Sequence, residues 1–270
     1  MYFNDNSIKT IKEYLNMIFD SHAHYDDEAF NKDRDEVIEE LKENEIIGVL
    51  NCGASLEGAR DSVKLSDKYD FFYAAVGIHP EFADVVNDEI IEELRNLSKN
   101  PKVKAIGEIG LDYHYEENPP REVQKDAFLR QMKLAEELGF PVVIHNREAH
   151  GDTLEILKQF PKVRGVIHCF SGSLEMAREC IKLGYYIGFT GVVTFKNARK
   201  TAEVAREIPL DRILLETDCP YMAPEPNRGK RNRSDYIEYI AEKIAEIRRD
   251  VPINVKNQAI LNTKRLFNIH

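Results

Sequence analysis

The sequence predicts an α/β chain closing as a (β/α)8 barrel, and three observations carry that prediction. From residue 18 onward, short apolar, β-rich runs alternate with longer charged segments of helical periodicity. There are eight such runs, the number that closes parallel βα units into a barrel. The length of 270 residues also suits one such barrel, which typically takes about 250. Pro, Gly and Ser never cluster into a linker, and no internal repeat or low-complexity tract is present. A single domain over residues 17–270 is therefore expected, preceded by an N-terminal extension, residues 1–16.

In that extension Ile8, Ile11 and Leu15 fall at helical spacing, with Asn6 or Ser7 as a cap. Either a helix under the barrel or a disordered leader fits. The strand candidates follow in order: Ile18–His22, Ile46–Cys52, Phe71–Ile78, Val103–Glu108, Pro141–His145, Gly165–His168, Tyr185–Thr190 and Arg212–Thr217. Between them lie helical patterns at Asp33–Asn44 (apolar Val37, Ile38 and Leu41), Glu57–Lys68, Glu89–Lys99, Arg121–Leu138, Ala149–Gln159, Leu174–Leu183 and Ala198–Glu207. Two more, Ser234–Arg249 and Asn254–Phe267, are expected to supply the eighth outer layer and a C-terminal cover.

Composition narrows the function classes. Hydrophobic residues make up 43% and charged residues 31%, a soluble globular balance. No apolar run approaches the roughly 20 residues of a membrane span, and the first sixteen residues lack a signal-peptide core. A cytoplasmic protein without a membrane or obligate protein partner is expected. Cys52, Cys169, Cys180 and Cys219 show no C-x-x-C pair or zinc-finger spacing, and read as reduced thiols. The net charge of −10 argues against a broad basic groove, though not against a nucleic acid held by metal ions and a few local cations.

In a barrel of this kind, chemistry collects where strands end. Six of the eight histidines fall at or just after strand ends: His22, His24, His79, His114, His145 and His168. Glu108 ends the fourth strand and Asp218 follows the eighth. On a strand, His22 and His24 would share a face through the period of two. Imidazole with carboxylate suits zinc, manganese or iron, and carboxylate with water suits magnesium. Four histidines and two carboxylates exceed one tetrahedral shell, so two divalent ions (Mg, Mn or Zn) are expected, with Glu108 placed to bridge them. Paired ions point to hydrolysis at phosphorus or carbon.

The blocks Phe19-Asp20-Ser21-His22-Ala23-His24, Gly77-Ile78-His79-Pro80, Gly107-Glu108-Ile109-Gly110-Leu111-Asp112, Ile144-His145, His168-Cys169-Phe170-Ser171-Gly172 and Glu216-Thr217-Asp218-Cys219-Pro220-Tyr221 stand in one order along the chain, followed by Arg228-Gly229-Lys230-Arg231-Asn232. Together they resemble the motif set of TatD-type metal-dependent deoxyribonucleases. The resemblance runs from about Met17 to the C-terminus. It implies a TIM-barrel hydrolase of the amidohydrolase-like type that cleaves DNA phosphodiesters with two divalent cations, with 3′→5′ exonuclease action in some members. Carried over by position, it implies His22, His24, Glu108 and Asp218 around one ion, and Glu108, His145 and His168 around the other. Asp218 is the implied general base, and Glu108 stands where related barrels carry a carboxylated lysine. Residues 1–16 exceed the family pattern.

Substrate contacts are open between two readings each. His79 either bonds a scissile phosphate or caps its strand end. His114, in Asp112-Tyr113-His114-Tyr115, sits either on a mobile base-stacking loop or in a packed one. Arg147 either clamps phosphate or pairs outward with Glu148 or Asp152. Arg228, Lys230, Arg231 and Arg233 form a basic cluster that either meets phosphate or is solvated. Cys169 and Cys219, beside ligands, are expected to point away from the metal, and Gly110 to make a turn after strand 4. Two further functions stay open: hydrolysis of a small-molecule amide, ester or lactone, and a metal-stabilised scaffold without turnover.

Overall fold

The computed structural model describes residues 17–270; the extension at residues 1–16, with its expected helix, lies outside the described residues. Eight parallel strands run in sequence order around one sheet: β1 Ile18–Ala23, β2 Ile46–Cys52, β3 Phe72–Val76, β4 Val103–Asp112, β5 Val142–Arg147, β6 Gly165–Ile167, β7 Tyr186–Phe189 and β8 Ile213–Leu215. Between and after them come α1 Arg34–Glu43, α2 Leu56–Lys68, α3 Asp88–Leu97, α4 Arg121–Leu138, α5 His150–Gln159, α6 Leu174–Lys182, α7 Arg199–Glu207, α8 Ile237–Arg248 and α9 Pro252–Phe267. No helix among the described residues is long and apolar enough to cross a membrane.

Local signals explain the helix boundaries. The side chains of Ser55, Asn87 and Ser173 accept the free N–H groups at the starts of α2, α3 and α6. Gly139, at φ 70°, ends α4 in the left-handed conformation that a glycine adopts without penalty.

The seam between β8 and β1 closes just beyond the short β8. Ala23 bridges Cys219, His24 N donates to Cys219 O at 2.8 Å, and Asp218 N donates to His22 O at 3.0 Å. The buried Asp20 carboxylate locks this seam from behind. It accepts the Thr217 N–H at 3.0 Å, the Thr217 hydroxyl at 2.6 Å and the Ser234 hydroxyl at 2.7 Å.

One core lies between the strands and the helices. A second takes Phe19, Leu50, Ala75, Ala105, Val143, Val166, Tyr186 and Leu214, a residue from every strand, and so fills the barrel interior. Phe267 and Ile269 from the C-terminal end join it and close the end opposite the site. Two residues beyond Val143, Val166 and Leu214 on the same inward face stand His145, His168 and Glu216. Packing layer and site thus come from one alternation.

Most strand boundaries differ from the sequence expectation by a few residues, and three of the differences bear on the site. Strand β4 continues four residues past Glu108 to Asp112, because it pairs with β5 through a register shift between Ile106 and Ile109. Gly110 is therefore inside β4 and makes no turn. At φ 146° it lies against the next strand, where a Cβ would stand 1.9 Å from His145 O. Strands β6 and β8 end earlier than expected, so His168 and Asp218 sit on the loops that leave them.

Candidate metal centre

The end of β1, the loop after β8 and Glu108 of β4 bring four ligand atoms together. His22 Nε2 lies 3.0 Å from His24 Nε2, 3.4 Å from Glu108 Oε2 and 3.6 Å from Asp218 Oδ1. His24 Nε2 lies 3.6 Å from Glu108 Oε2 and 3.3 Å from Asp218 Oδ1. An ion with bonds of about 2.0–2.2 Å in a tetrahedral shell holds its ligand atoms roughly 3.3–3.6 Å apart, so this cage fits one divalent cation. One outer contact is in place: His24 Nδ1 is 2.7 Å from Cys52 O, which fixes Nδ1 as the protonated nitrogen and leaves Nε2 to ligate, whereas the buried His22 Nδ1 has no hydrogen-bond partner.

The other oxygen of Glu108 faces a second group. Oε1 lies 3.0 Å from His145 Nδ1, 3.8 Å from His168 Nε2 and 4.0 Å from His79 Nε2. The buried Glu108 carboxylate thus stands between two sets of nitrogens. Four of the other five sequence-predicted ligands, His22, His24, His145 and His168, face it directly, and Asp218 joins the cluster through His22, His24 and His168.

The charges follow from burial and neighbours. Burial alone would raise the Glu108 carboxyl, but His22, His168 and the His145 hydrogen bond hold it well below the usual carboxylate range. Asp218 is likewise held low against burial by His168, His24 and His22. Burial disfavours charge on His24, yet Asp218 and Glu108 push it up to about 9. His168 rises against burial to about 10 through Glu216, Asp218 and Glu108. Burial and the neighbouring His168 lower His22. Burial and His145 take His79 down to about 3. In the metal-free protein, protons on His24 and His168 therefore stand where cations would balance the carboxylates.

Several functional residues were not singled out from sequence. Asp112, buried at the end of β4, accepts His145 Nε2–H at 3.0 Å with one oxygen and His114 N–H at 2.9 Å with the other. Glu216 Oε1 lies 3.0 Å from His168 Nδ1 and accepts Cys169 N–H at 2.6 Å. Two glutamines on α4 reach the strand ends from outside. Gln131 pairs with both backbone groups of Ile78, and Gln124 with both of Asp112. The available signals were acids two and four residues from a ligand, and glutamines seven apart on one helix face.

The remaining candidates divide. His79 caps the short helical turn after β3, its Nδ1 accepting Glu81 N–H at 3.2 Å, while Nε2 points at Glu108. His114 Nδ1 stands 2.7 Å from Glu148 Oε1. Arg147 pairs with neither Glu148 nor Asp152, the second of which is 2.8 Å from Lys125. It donates to Tyr115 OH at 3.0 Å, with its guanidinium 4.8 Å from that ring's centre. Arg228 stacks 4.4 Å over Phe195. Arg231 is committed elsewhere, in a bidentate pair with Asp33 at 2.8 and 2.6 Å and a bond to Ala29 O. Arg233 pairs with Glu40 and Asp235.

The expectation for Cys169 is corrected. Strand alternation does not reach it, because β6 ends at Ile167 and Cys169 takes φ 43°. Its sulfur lies within 4.8 Å of ligand atoms of His168 and Asp218. Burial and the charge of Asp218 push its thiol well up, so it stays protonated. Cys219 is buried beside Tyr25 and Asp20.

The model of the TatD related DNase family matches residues 19–268. The chain belongs to that family. It is 44% identical over 94% of its length to all of the Bacillus subtilis uncharacterized metal-dependent hydrolase YabD. It is 35% identical, over 93% of its length and 100% of the relative, to the 3'-5' ssDNA/RNA exonuclease TatD of Erwinia tasmaniensis. The crystal structure of YJJV, a TatD homolog from Escherichia coli K12, superposes with a TM-score of 0.88 at 31% identity, over 94% of this chain and 98% of that one. The protein is thus a TatD-family metal-dependent hydrolase with the barrel that the sequence predicts.

Proposed function

We propose that the protein is a two-ion deoxyribonuclease that hydrolyses phosphodiester bonds at the ends of single strands from the 3′ side. The observation that carries the reading is the Glu108 carboxylate, with Oε2 at 3.4 Å from His22 and Oε1 at 3.0 Å from His145. Such a carboxylate can serve two ions, one among His22, His24 and Asp218, the other with His145 and His168. When bound, the ions supply Lewis acidity to the phosphoryl group and lower the pKa of water. The exonuclease name of the Erwinia relative supports the substrate class. A cytoplasmic location accords with a DNA substrate.

The chain's own residues would divide the remaining work. Asp218, held ionised by three histidines, is in the form that accepts a proton from the attacking water. His79, kept neutral by burial and His145, can donate a hydrogen bond from Nε2 to a phosphate oxygen. Arg147, His114 and Arg228 line the mouth as anion contacts. Arg231 could join them only by releasing Asp33.

The test is cleavage of single-stranded DNA with Mg²⁺ or Mn²⁺ by wild type and by Asp218→Asn. Loss of base and ligand together should lower turnover by roughly 10²–10⁴-fold or more. Absence of metal-dependent cleavage by wild type, or equal cleavage by the variant, defeats the reading. Turnover confined to neutral amides, esters or lactones would move the protein to another substrate class.

A further inference from the structure

We propose that Tyr115 and Arg147 form a nucleotide subsite on the β4–β5 side of the barrel mouth. In it the phenol ring stacks one unpaired base, and the guanidinium takes that nucleotide's phosphate. The proposal rests on the nuclease reading above and names the form of its substrate, a single strand with splayed bases.

The first observation is an aromatic ring presented to solvent. Tyr115 is 46% exposed, on a loop whose other ring residue, Tyr113, bonds Asp152 at 2.7 Å. The second is a cation with no carboxylate. Among the described residues Arg147 has no ion-pair partner, since Glu148 pairs with His114 and Asp152 with Lys125. In a chain of net charge −10, a guanidinium that forms no ion pair, donates to Tyr115 OH at 3.0 Å and feels Asp112 only at longer range is suited to an anion beside a candidate metal centre.

The third observation is rigidity. Arg147 is the last residue of β5, two beyond His145. Tyr113 N donates to Arg147 O at 2.9 Å, continuing the β4–β5 ladder into the loop. Asp112 holds the His145 ring and the His114 N–H with its two oxygens. His114 packs edge-on against Tyr115 at 4.8 Å. The loop that carries the ring is therefore registered to the metal-facing His145 through one carboxylate. These contacts favour the packed one of the two loop readings, and a ring held in this way stacks without a large ordering cost. Arg147 lies over one face of the ring, 4.8 Å from its centre, which leaves the other for a base; bases inside a duplex are already covered on both faces, so this ring selects a single strand.

The experiment uses the full chain, metal-loaded, with a single-stranded decamer and a set of decamers each carrying one abasic position near the 3′ end. Base–aromatic stacking predicts that Tyr115→Ala raises KM by about five- to hundredfold, with kcat within about twofold of wild type. One abasic position should impose a similar KM penalty on wild type and none on Tyr115→Ala, while Tyr115→Phe keeps the wild-type pattern. Arg147→Lys, which keeps charge and loses the planar stack, should fall between. An unchanged KM in Tyr115→Ala, or abasic penalties that persist in it, overturns the subsite. Binding of the same decamers by fluorescence anisotropy separates the two levels. If wild type cleaves no oligonucleotide but binds with a base-dependent affinity that Tyr115→Ala loses, the nuclease reading falls and the subsite stands. Base-independent binding overturns the subsite whatever the cleavage result.

Discussion

Around His22, His24 and Asp218 every pair of facing ligand atoms lies between 3.0 and 3.6 Å, whereas His145, His168 and His79 approach one oxygen of Glu108 at 3.0, 3.8 and 4.0 Å. The first group comes from two adjacent strand ends joined by the β1–β8 seam, with Asp20 behind it. The second is gathered from β4, β5 and the loops after β6 and β3; Glu108 is the contact its members share, and His168 Nε2 also lies 3.7 Å from Asp218 Oδ1 of the first group. A cage assembled before binding loses little on taking its ion, while a looser one must tighten. On the two-ion reading, the β1–β8 group binds first and more tightly.

The change that should break this contrast outright is Glu108→Gln. It removes the one carboxylate both groups share and leaves buried histidines facing an amide. Activity should fall by at least about 10³-fold, and metal content measured after gel filtration should drop for both ions. Retention of two ions would show that Glu108 does not bridge.

Single-histidine variants separate the groups. His22→Ala should abolish the tighter of two binding events in titration calorimetry, and His145→Ala only the weaker. Both should lower activity, by about 10²-fold or more, since both ions serve the reaction. Equal loss of both events in each variant would mean that the groups bind as one cooperative unit.

Acidity sharpens the comparison with a sign that can be worked out. His24 and His168, raised to about 9 and about 10, are charged at neutral pH in the metal-free protein, and against the lowering effect of burial Asp112 and Glu108 raise His145 as well. Their protonation stabilises the metal-free fold fully below the unfolded value near 6.5, and that contribution is lost as pH rises through 9 to 10. An ion must displace these protons. In the first group only His24 carries one, because His22 is lowered. In the second, His168 carries one and His145 is raised as well. Apparent affinity should therefore rise about tenfold per pH unit for the first ion and at least as steeply for the second between pH 7 and 9. Proton release measured in buffers of different ionisation enthalpy checks this. Flat affinity over that range would mean that the histidines are neutral before the ion arrives.

The same contrast explains what the sequence could show. His22, His24, His145 and His168 were legible because strand alternation and strand ends are local properties. The barrel was legible because eight strand signals recur with helices between them. Asp112, Glu216 and Asp20 were not, since a buried acid has no local signature, and each acquires its partner only when distant strands meet: Asp20 with Thr217, and Glu216 with His168. The alternation argument failed at Cys169 for a related reason. It holds only inside a strand, and a left-handed residue after β6 turns the sulfur back toward the site. Arg231 reads as one of four equivalent cations until Asp33, 198 residues away, takes its fork.

Asp112→Asn is the mildest of these changes and the most discriminating. An amide can still accept from either donor, but it no longer places a negative charge against His145 Nε2–H. That charge favours the proton on Nε2, in competition with the Glu108 carboxylate that stands equally close, 3.0 Å, to Nδ1. Losing it should weaken only the second, weaker binding event, by about 10- to 100-fold, and the tighter event should keep its wild-type affinity. The nitrogen chemical shifts of His145 supply a readout independent of turnover. In wild type they should report both tautomers once the ring is neutral, and in Asp112→Asn a shift toward the proton on Nδ1, since only the Glu108 carboxylate then faces the ring. Weakening of both events together would make Asp112 a general support of the barrel mouth rather than the residue that sets one histidine, because the first group shares no hydrogen bond with it.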